Sequence, residues 1–370
     1  MIRTRKFLLT FVPLAGMLTG LPLLGVWLAG LPVEPYFEFP PQTRFVRHEP
    51  FSWPVFCLYA ALIAAVIVTL ALRASRSFRL SGPAAEAMPQ PFPGWGWTAV
   101  AAGAATWALA WTRFPWMGFF QAHTFTPLWL AYIVVVNALC CRRTGRSLLT
   151  HRPVFFLALF PTSAVFWWFF EYLNRFVQNW YYVGEHFGPW EYLWYATLPF
   201  ATVLPAVMSM GELIQSFAWF RRAFGRVQPL SGFGHPVIAW VVLAAAAAGL
   251  AAIGVWPRVF HSLVWVAPLL IIVSLKRLRR ETHPLQDLAG TDWTGPVSAA
   301  LAALVCGFFW EMWNFYSLAK WKYSVPFVQR FEVFEMPILG YAGYLPFGLE
   351  CAVVADLLEA LLKRNRAGSP

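Results

Sequence analysis

Trp167-Trp168-Phe169-Phe170-Glu171-Tyr172-Leu173-Asn174 ends one long apolar segment, and Phe308-Phe309-Trp310-Glu311-Met312-Trp313-Asn314 ends another. In a helix, the three-residue step from carboxylate to carboxamide places both groups on one face, and the aromatic residues before them suit the edge of a bilayer. A polar pair at the end of such a segment, occurring twice, points to a membrane protein with a duplicated site.

Composition agrees with that class. Of 370 residues, 59% are apolar, 18% aromatic and 12% charged, where a soluble domain carries about 25% charged residues. The net charge of +11 is spread between apolar segments rather than gathered on one face or in a tail, which argues against nucleic acid as partner. Cys57, Cys140, Cys141, Cys306 and Cys351 sit in apolar surroundings without CxxC spacing, so neither a disulfide framework nor a thiolate metal site is expected. No Gly-rich phosphate loop, G-x-S-x-G or HExxH occurs.

Ten apolar segments are expected to span: 7–30, 55–73, 97–112, 127–141, 153–173, 192–219, 236–255, 261–275, 296–315 and 337–362. The segment 261–275 is short for a span of about 20 residues. Residues 7–30 exceed a signal-peptide core and lack a clear cleavage site, so they read as a helix. With the N-terminus inside, 20 of the 28 Lys and Arg residues fall in cytoplasmic pieces, from Arg3, Arg5 and Lys6 to Lys363, Arg364 and Arg366, as the positive-inside bias requires. The expected fold is an all-α polytopic membrane bundle with both termini cytoplasmic, placed in a bacterial inner membrane.

The order of landmarks repeats. Pro115, Pro127, Arg142, Glu171 and Asn174 return as Pro257, Pro268, Arg279, Glu311 and Asn314, 137 to 142 residues further on. Trp180-Tyr181-Tyr182 returns as Trp321-Lys322-Tyr323, and Pro199 with Glu212 as Pro337 with Glu350, each of these two pairs 13 residues apart. The expected organisation is an N-terminal transmembrane hairpin (1–80), a cytoplasmic loop (81–96) and two four-helix repeats (97–222 and 236–362), parallel because both begin inside.

Glu171, Asn174, Glu311 and Asn314, with Glu212 and Glu350 deeper in their spans, are the candidate catalytic groups. Intramembrane carboxylates are a functional hypothesis by default, though helix-end or inter-helix hydrogen bonding would also explain them. Oxygen ligands could suit a hard cation, but Asn stands where the Glu-x-x-His of a dinuclear site would place His; the metal and any cofactor stay open. Trp180, Tyr182, Trp321 and Tyr323 form either an interfacial belt or a lid over a cavity, with Arg175, Arg330 and Lys320 drawing an anionic head group. His123 and His261, at matching turns, are the histidines to compare.

Trp321-x-Tyr323 followed by Gly343-Tyr344-Leu345-Pro346-Phe347-Gly348-Leu349-Glu350 resembles the membrane-embedded lycopene-cyclase-type domains, in which a Trp-x-aromatic element precedes a Pro-x-Glu-Glu helix. The likeness covers about 30 residues. Cys351 stands where the second Glu would be, and the repeat has four helices rather than three. The resemblance implies intramembrane acids that protonate an isoprenoid double bond, with Glu350 and Glu212 as the inheriting positions. Three classes follow: a protein binding or chemically modifying a lipid or isoprenoid, a proton- or cation-coupled transporter, and a non-catalytic membrane subunit.

Overall fold

The computed structural model describes residues 2–80, 90–230 and 235–366. The chain is mostly helical. Its helices are α1 (Ile2–Leu28), α2 (Trp53–Leu80), α3 (Gly94–Trp111), α4 (Phe125–Thr144), α5 (Leu148–His151), α6 (Pro153–Val177), α7 (Pro189–Phe200), α8 (Val203–Gln215), α9 (Ala218–Phe224), α10 (Pro236–Ala252), α11 (Pro257–Phe260), α12 (Ala267–Leu278), α13 (Thr294–Phe315) and α14 (Tyr344–Arg366). Most of the loop expected at 81–96 lies outside the described residues.

Among the described residues, five helices are long and apolar enough to cross a membrane: Trp53–Arg79, Phe125–Thr144, Pro153–Val177, Pro189–Gln215 and Thr294–Phe315. A sixth arises if Pro257–Trp265 and Ala267–Leu278, bent by 54°, form one broken span. Each of the ten apolar segments contains helix, but α10 and Val12–Leu28 are shorter, and α14 carries Glu350, Asp356 and Glu359 on its length. The bend falls within 261–275, the segment that the sequence marks as short for a span.

Packing joins α3 to α4, α10 to α12, α6 to α8 and α13 to α14, while α8 and α13 cross between these groups. Trp129, Phe170, Leu204 and Phe347 are nearly or wholly excluded from solvent in the main core. Close approach depends on small residues: a Cβ on Gly348 would meet the Ala299 carbonyl oxygen of α13 at 2.1 Å. The first two helices take different neighbours, α1 packing on α10 and α2 on α9. The Pro-rich connection between them is therefore drawn out as an extended strap across the molecule rather than closed as a tight turn.

Two short strands link the halves. β1 (Trp180–Val183) pairs antiparallel with β2 (Lys320–Tyr323), Trp180 opposite Tyr323 and Tyr182 opposite Trp321. Successive strand residues alternate faces, so these four aromatic side chains share one face of the ribbon. Gly184 closes β1 with φ of +97°, where its hydrogen lies against the Leu318 carbonyl; a Cβ there would stand 1.9 Å from that oxygen.

The opposite end of the bundle gathers charge. Arg143 donates from Nε to Ser216 Oγ at 2.8 Å, Arg152 pairs with Glu359 at 3.0 Å, and Lys276 pairs with Asp356 at 2.6 Å. Arg73 donates to the carbonyls of Ala223 and Arg226.

Candidate functional site

Helix α6 ends at Val177, and Gln178 follows it in the left-handed region with φ of 50°. That turn sends the chain back as β1, over the carboxylate it has just left. Asn174 fixes the return: its Nδ2 donates to the Trp180 carbonyl at 2.8 Å, and its Oδ1 accepts from the Trp180 N–H at 3.3 Å. Asn314 does the same for Trp321, at 2.8 and 2.9 Å. Both carboxamides, expected among the catalytic groups, are occupied in holding a tryptophan backbone, since a buried peptide unit without partners is costly. These bonds position the returning strands.

The tryptophans so placed lead back to the carboxylates. Glu171 Oε1 accepts from Trp167 Nε1 at 3.1 Å, Trp180 Nε1 at 3.0 Å and the Tyr182 hydroxyl at 2.6 Å. Its Oε2 accepts no hydrogen bond among the described residues. Glu311 Oε1 accepts from the hydroxyls of Tyr323 at 2.7 Å and Tyr344 at 2.6 Å, while Trp321 Nε1 donates to the Tyr323 oxygen at 2.8 Å. Glu311 Oε2 is buried without a partner. Burial, and then the Glu311 carboxylate, raise the Tyr323 phenol well above its ordinary value, so it stays a donor.

A cavity of about 600 Å³ lies beside the ribbon, within the roughly 300–1,000 Å³ of small-molecule sites. Glu171, Trp167, Trp180, Tyr182, Trp265 and Trp310 are among its walls, as are Trp321, Tyr323 and Tyr344. Glu311 and Asn314 are not in the wall. Of the duplicated pair, Glu171 and Asn174 thus stand in the cavity wall, whereas Glu311 sits behind Tyr323 and Tyr344.

The deeper pair takes two different settings. Glu212 is half-buried at the charged end, where its Oε2 accepts from the Leu148 N–H at 2.8 Å and caps α5 together with Asn137, whose Oδ1 accepts from the Leu149 N–H at 3.0 Å. A carboxylate at a helix N-terminus meets unpaired amides and the positive end of the dipole, which is a structural role. Glu350 is 1% exposed, and neither oxygen meets a hydrogen-bond partner among the described residues. The Leu269 amide bears on it from beyond hydrogen-bonding geometry. Glu212 and Glu350 do not occupy equivalent places, and neither is in the cavity wall.

Two of the expected cations, Arg175 and Lys320, stand in the cavity wall already paired with carboxylates. Arg175 pairs with Glu38 at 3.0 Å, Lys320 pairs with Glu335, and Arg330 lies over the rings of Phe51, Trp53 and Phe331 outside the cavity wall. His123 packs against Tyr195, with ring centroids 4.1 Å apart, whereas His261 lines the cavity with its Nε2 unpartnered. No group of three or more His, Cys, Asp or Glu side chains among the described residues could hold a metal ion, and the five cysteines are free.

Sequence reasoning missed the strap. Gln178 binds it at three points: Oε1 accepts from the amides of Phe45 and Val46 at 2.9 and 2.8 Å, and Nε2 donates to the Thr43 carbonyl at 2.8 Å. His48 bridges Ser324 Oγ at 2.6 Å and the Val177 carbonyl at 2.7 Å. Burial, with Arg44 adding to it, lowers the His48 value despite the Val177 bond. Pro40, Pro41, Gln42, Thr43 and Arg44 thereby join the cavity wall. Comparison with protein families, with curated proteins and with solved structures finds no match to this chain.

Proposed function

We propose that the protein binds a lipid or isoprenoid in the aromatic cavity and acts on it by carboxylate acid/base chemistry, with Glu171 as the proton-transferring group. The carrying observation is the state of Glu171. Three donors converge on Oε1, Oε2 takes none, and the residue stands in a mainly apolar cavity wall that includes five indole and seven phenol rings. Such donors fix the orientation of the carboxyl group and leave one oxygen to meet a ligand, which is the geometry a general acid or base needs. An apolar, aromatic wall suits a hydrocarbon chain better than a hydrophilic solute.

The surrounding architecture in this reading is two parallel four-helix repeats, 97–222 and 236–362, preceded by residues 1–80, making ten spans with both termini cytoplasmic in a bacterial inner membrane. The ribbon register supports the repeat. Trp180 to Trp321 and Tyr182 to Tyr323 are the same 141-residue step, and the pair Trp180 with Tyr323 is carried by that step onto the pair Trp321 with Tyr182. A two-fold axis through Tyr181 and Lys322 would produce that register. The clustering of Arg73, Arg143, Arg152 and Lys276 at the end away from the ribbon supports the orientation.

A proton-coupled carrier is the second reading, favoured by the fully buried and unpartnered carboxyl of Glu350, since intramembrane acids mark proton paths. Mass spectrometry of copurifying lipid separates the readings. The expected result is a lipid with the wild type and a chemically different, precursor lipid with Glu171→Gln. The same species at the same occupancy in both would remove the acid/base role, and no lipid in either would remove the lipid reading.

A further inference from the structure

Arg44 differs from the other basic groups around the cavity. Arg175 and Lys320 are matched by Glu38 and Glu335. Arg44 is exposed, belongs to the cavity wall and meets no carboxylate among the described residues. Its guanidinium carbon lies 3.9 Å from the centre of the Tyr181 ring. A guanidinium supported on its face by a ring keeps its in-plane N–H donors free at the edge, and that planar fork is the arrangement that grips phosphate oxygens.

The backbone carrying Arg44 is fastened on both sides, since Gln178 holds the Thr43 carbonyl and the Phe45 amide. Gln178 is itself held by the left-handed turn that launches β1. Arg44 is thus presented by the same turn that brings Trp180 and Tyr182 over Glu171. Lys322, the cross-strand neighbour of Tyr181, is not itself in the cavity wall, but it also has no carboxylate partner among the described residues. Glu185, the other acid in the cavity wall, bears on His123.

We infer that Arg44 anchors the phosphate of an amphiphile whose apolar chain fills the aromatic cavity, so that the strap is a built part of the binding site. The inference rests on the lipid reading above and names the class of ligand: a phosphate ester of an isoprenoid alcohol or of a diacylglycerol. Arg44 grips the anion at the mouth, the indoles take the chain, and Glu171 meets it within.

The test uses full-length protein in a neutral detergent, with tryptophan fluorescence as readout and two matched pairs of probes: farnesyl phosphate against farnesol, and dioctanoyl phosphatidic acid against dioctanoylglycerol. In at least one pair the phosphate form binds wild type about ten-fold or more tightly than its neutral partner, as a charge-assisted pair would give. Arg44→Gln reduces that preference to within about three-fold, and Arg44→Lys lies between. The pair that shows the preference identifies the isoprenoid or the glycerolipid source. Retention of the full preference in Arg44→Gln, or equal binding of phosphate and neutral forms to wild type, overturns the anchor. Binding of no probe to wild type overturns the lipid reading and the anchor with it, a failure distinct from neutral and phosphate forms binding alike.

Discussion

Tyr344 at the start of α14 donates its hydroxyl to Glu311 Oε1 on α13 at 2.6 Å, and the ring reaches that position over the empty side of Gly307. A Cβ at 307 would stand 2.4 Å from the Tyr344 ring, far inside contact distance. The second carboxylate is thus sealed by a tyrosine from the next helix, whereas Glu171 keeps a face to the cavity.

Gly307→Ala should therefore displace Tyr344 and destabilise the protein by about 1–3 kcal/mol, the range for overpacking a close contact. Tyr344→Phe should lose only the hydrogen bond, about 1–3 kcal/mol for a bond to a charged or buried acceptor. Thermal unfolding in detergent reads both. If Gly307→Ala melts with the wild type, Tyr344 does not depend on that approach.

Asn174→Asp keeps the shape of the side chain but removes the donor to the Trp180 carbonyl, and Asn314→Asp does the same at Trp321. Each should cost about 1–3 kcal/mol for the buried carbonyl left unpaired. Hydrogen exchange of the ribbon amides should speed up in both variants, because the anchor of each strand is half lost. Unchanged exchange would mean that ribbon pairing alone positions the tryptophans.

Much of this arrangement is written in local pattern. The aromatic-Glu-x-x-Asn ends and the Trp-x-Tyr returns are fixed offsets within one helix and one strand, so periodicity reveals them. The 13-residue echo from Pro199 and Pro337 equates Glu212 with Glu350, which the fold sets in different surroundings. Glu212 instead caps α5, a partner 64 residues away that no spacing rule signals. The strap was illegible for a related reason: it is held through its own amides and carbonyls by Gln178, and backbone groups leave no trace in residue type.

His48 gives that strap a dependence on pH. Its ring is held lower than a free imidazole, chiefly by burial, so the fold prefers the neutral form. Below about pH 6.5 the unfolded or released strap binds a proton that the docked one resists. Docking is complete above that value and weakens as pH falls through it. Trypsin cleavage after Arg44 and Arg47, taken as the ratio to a His48→Gln variant at each pH so that the protease's own profile cancels, should rise between pH 7.5 and 6. A flat ratio would show that His48 stays neutral in both states or that the strap does not open.

Glu350 offers the clearest separation of stability from function. A carboxyl that is 1% exposed and without a hydrogen-bond partner among the described residues has lost its hydration with only the nearby Leu269 amide in return, and insertion scales place an acid at mid-helix at least ~2.5 kcal/mol above an apolar residue. Replacing buried ionisable groups by well-packed apolar ones is often stabilising by about 1–4 kcal/mol. Glu350→Leu should therefore melt higher than the wild type, by an amount in that range, while Glu350→Gln, which still buries a polar amide, should gain little. A lower melting point for Glu350→Leu would mean that the carboxyl is satisfied within the fold, and the proton-carrier reading would lose the observation on which it stands. If the gain is found, the same variant, more stable yet unable to exchange a proton at that depth, becomes the reagent for asking whether transport or chemistry in the cavity needs one.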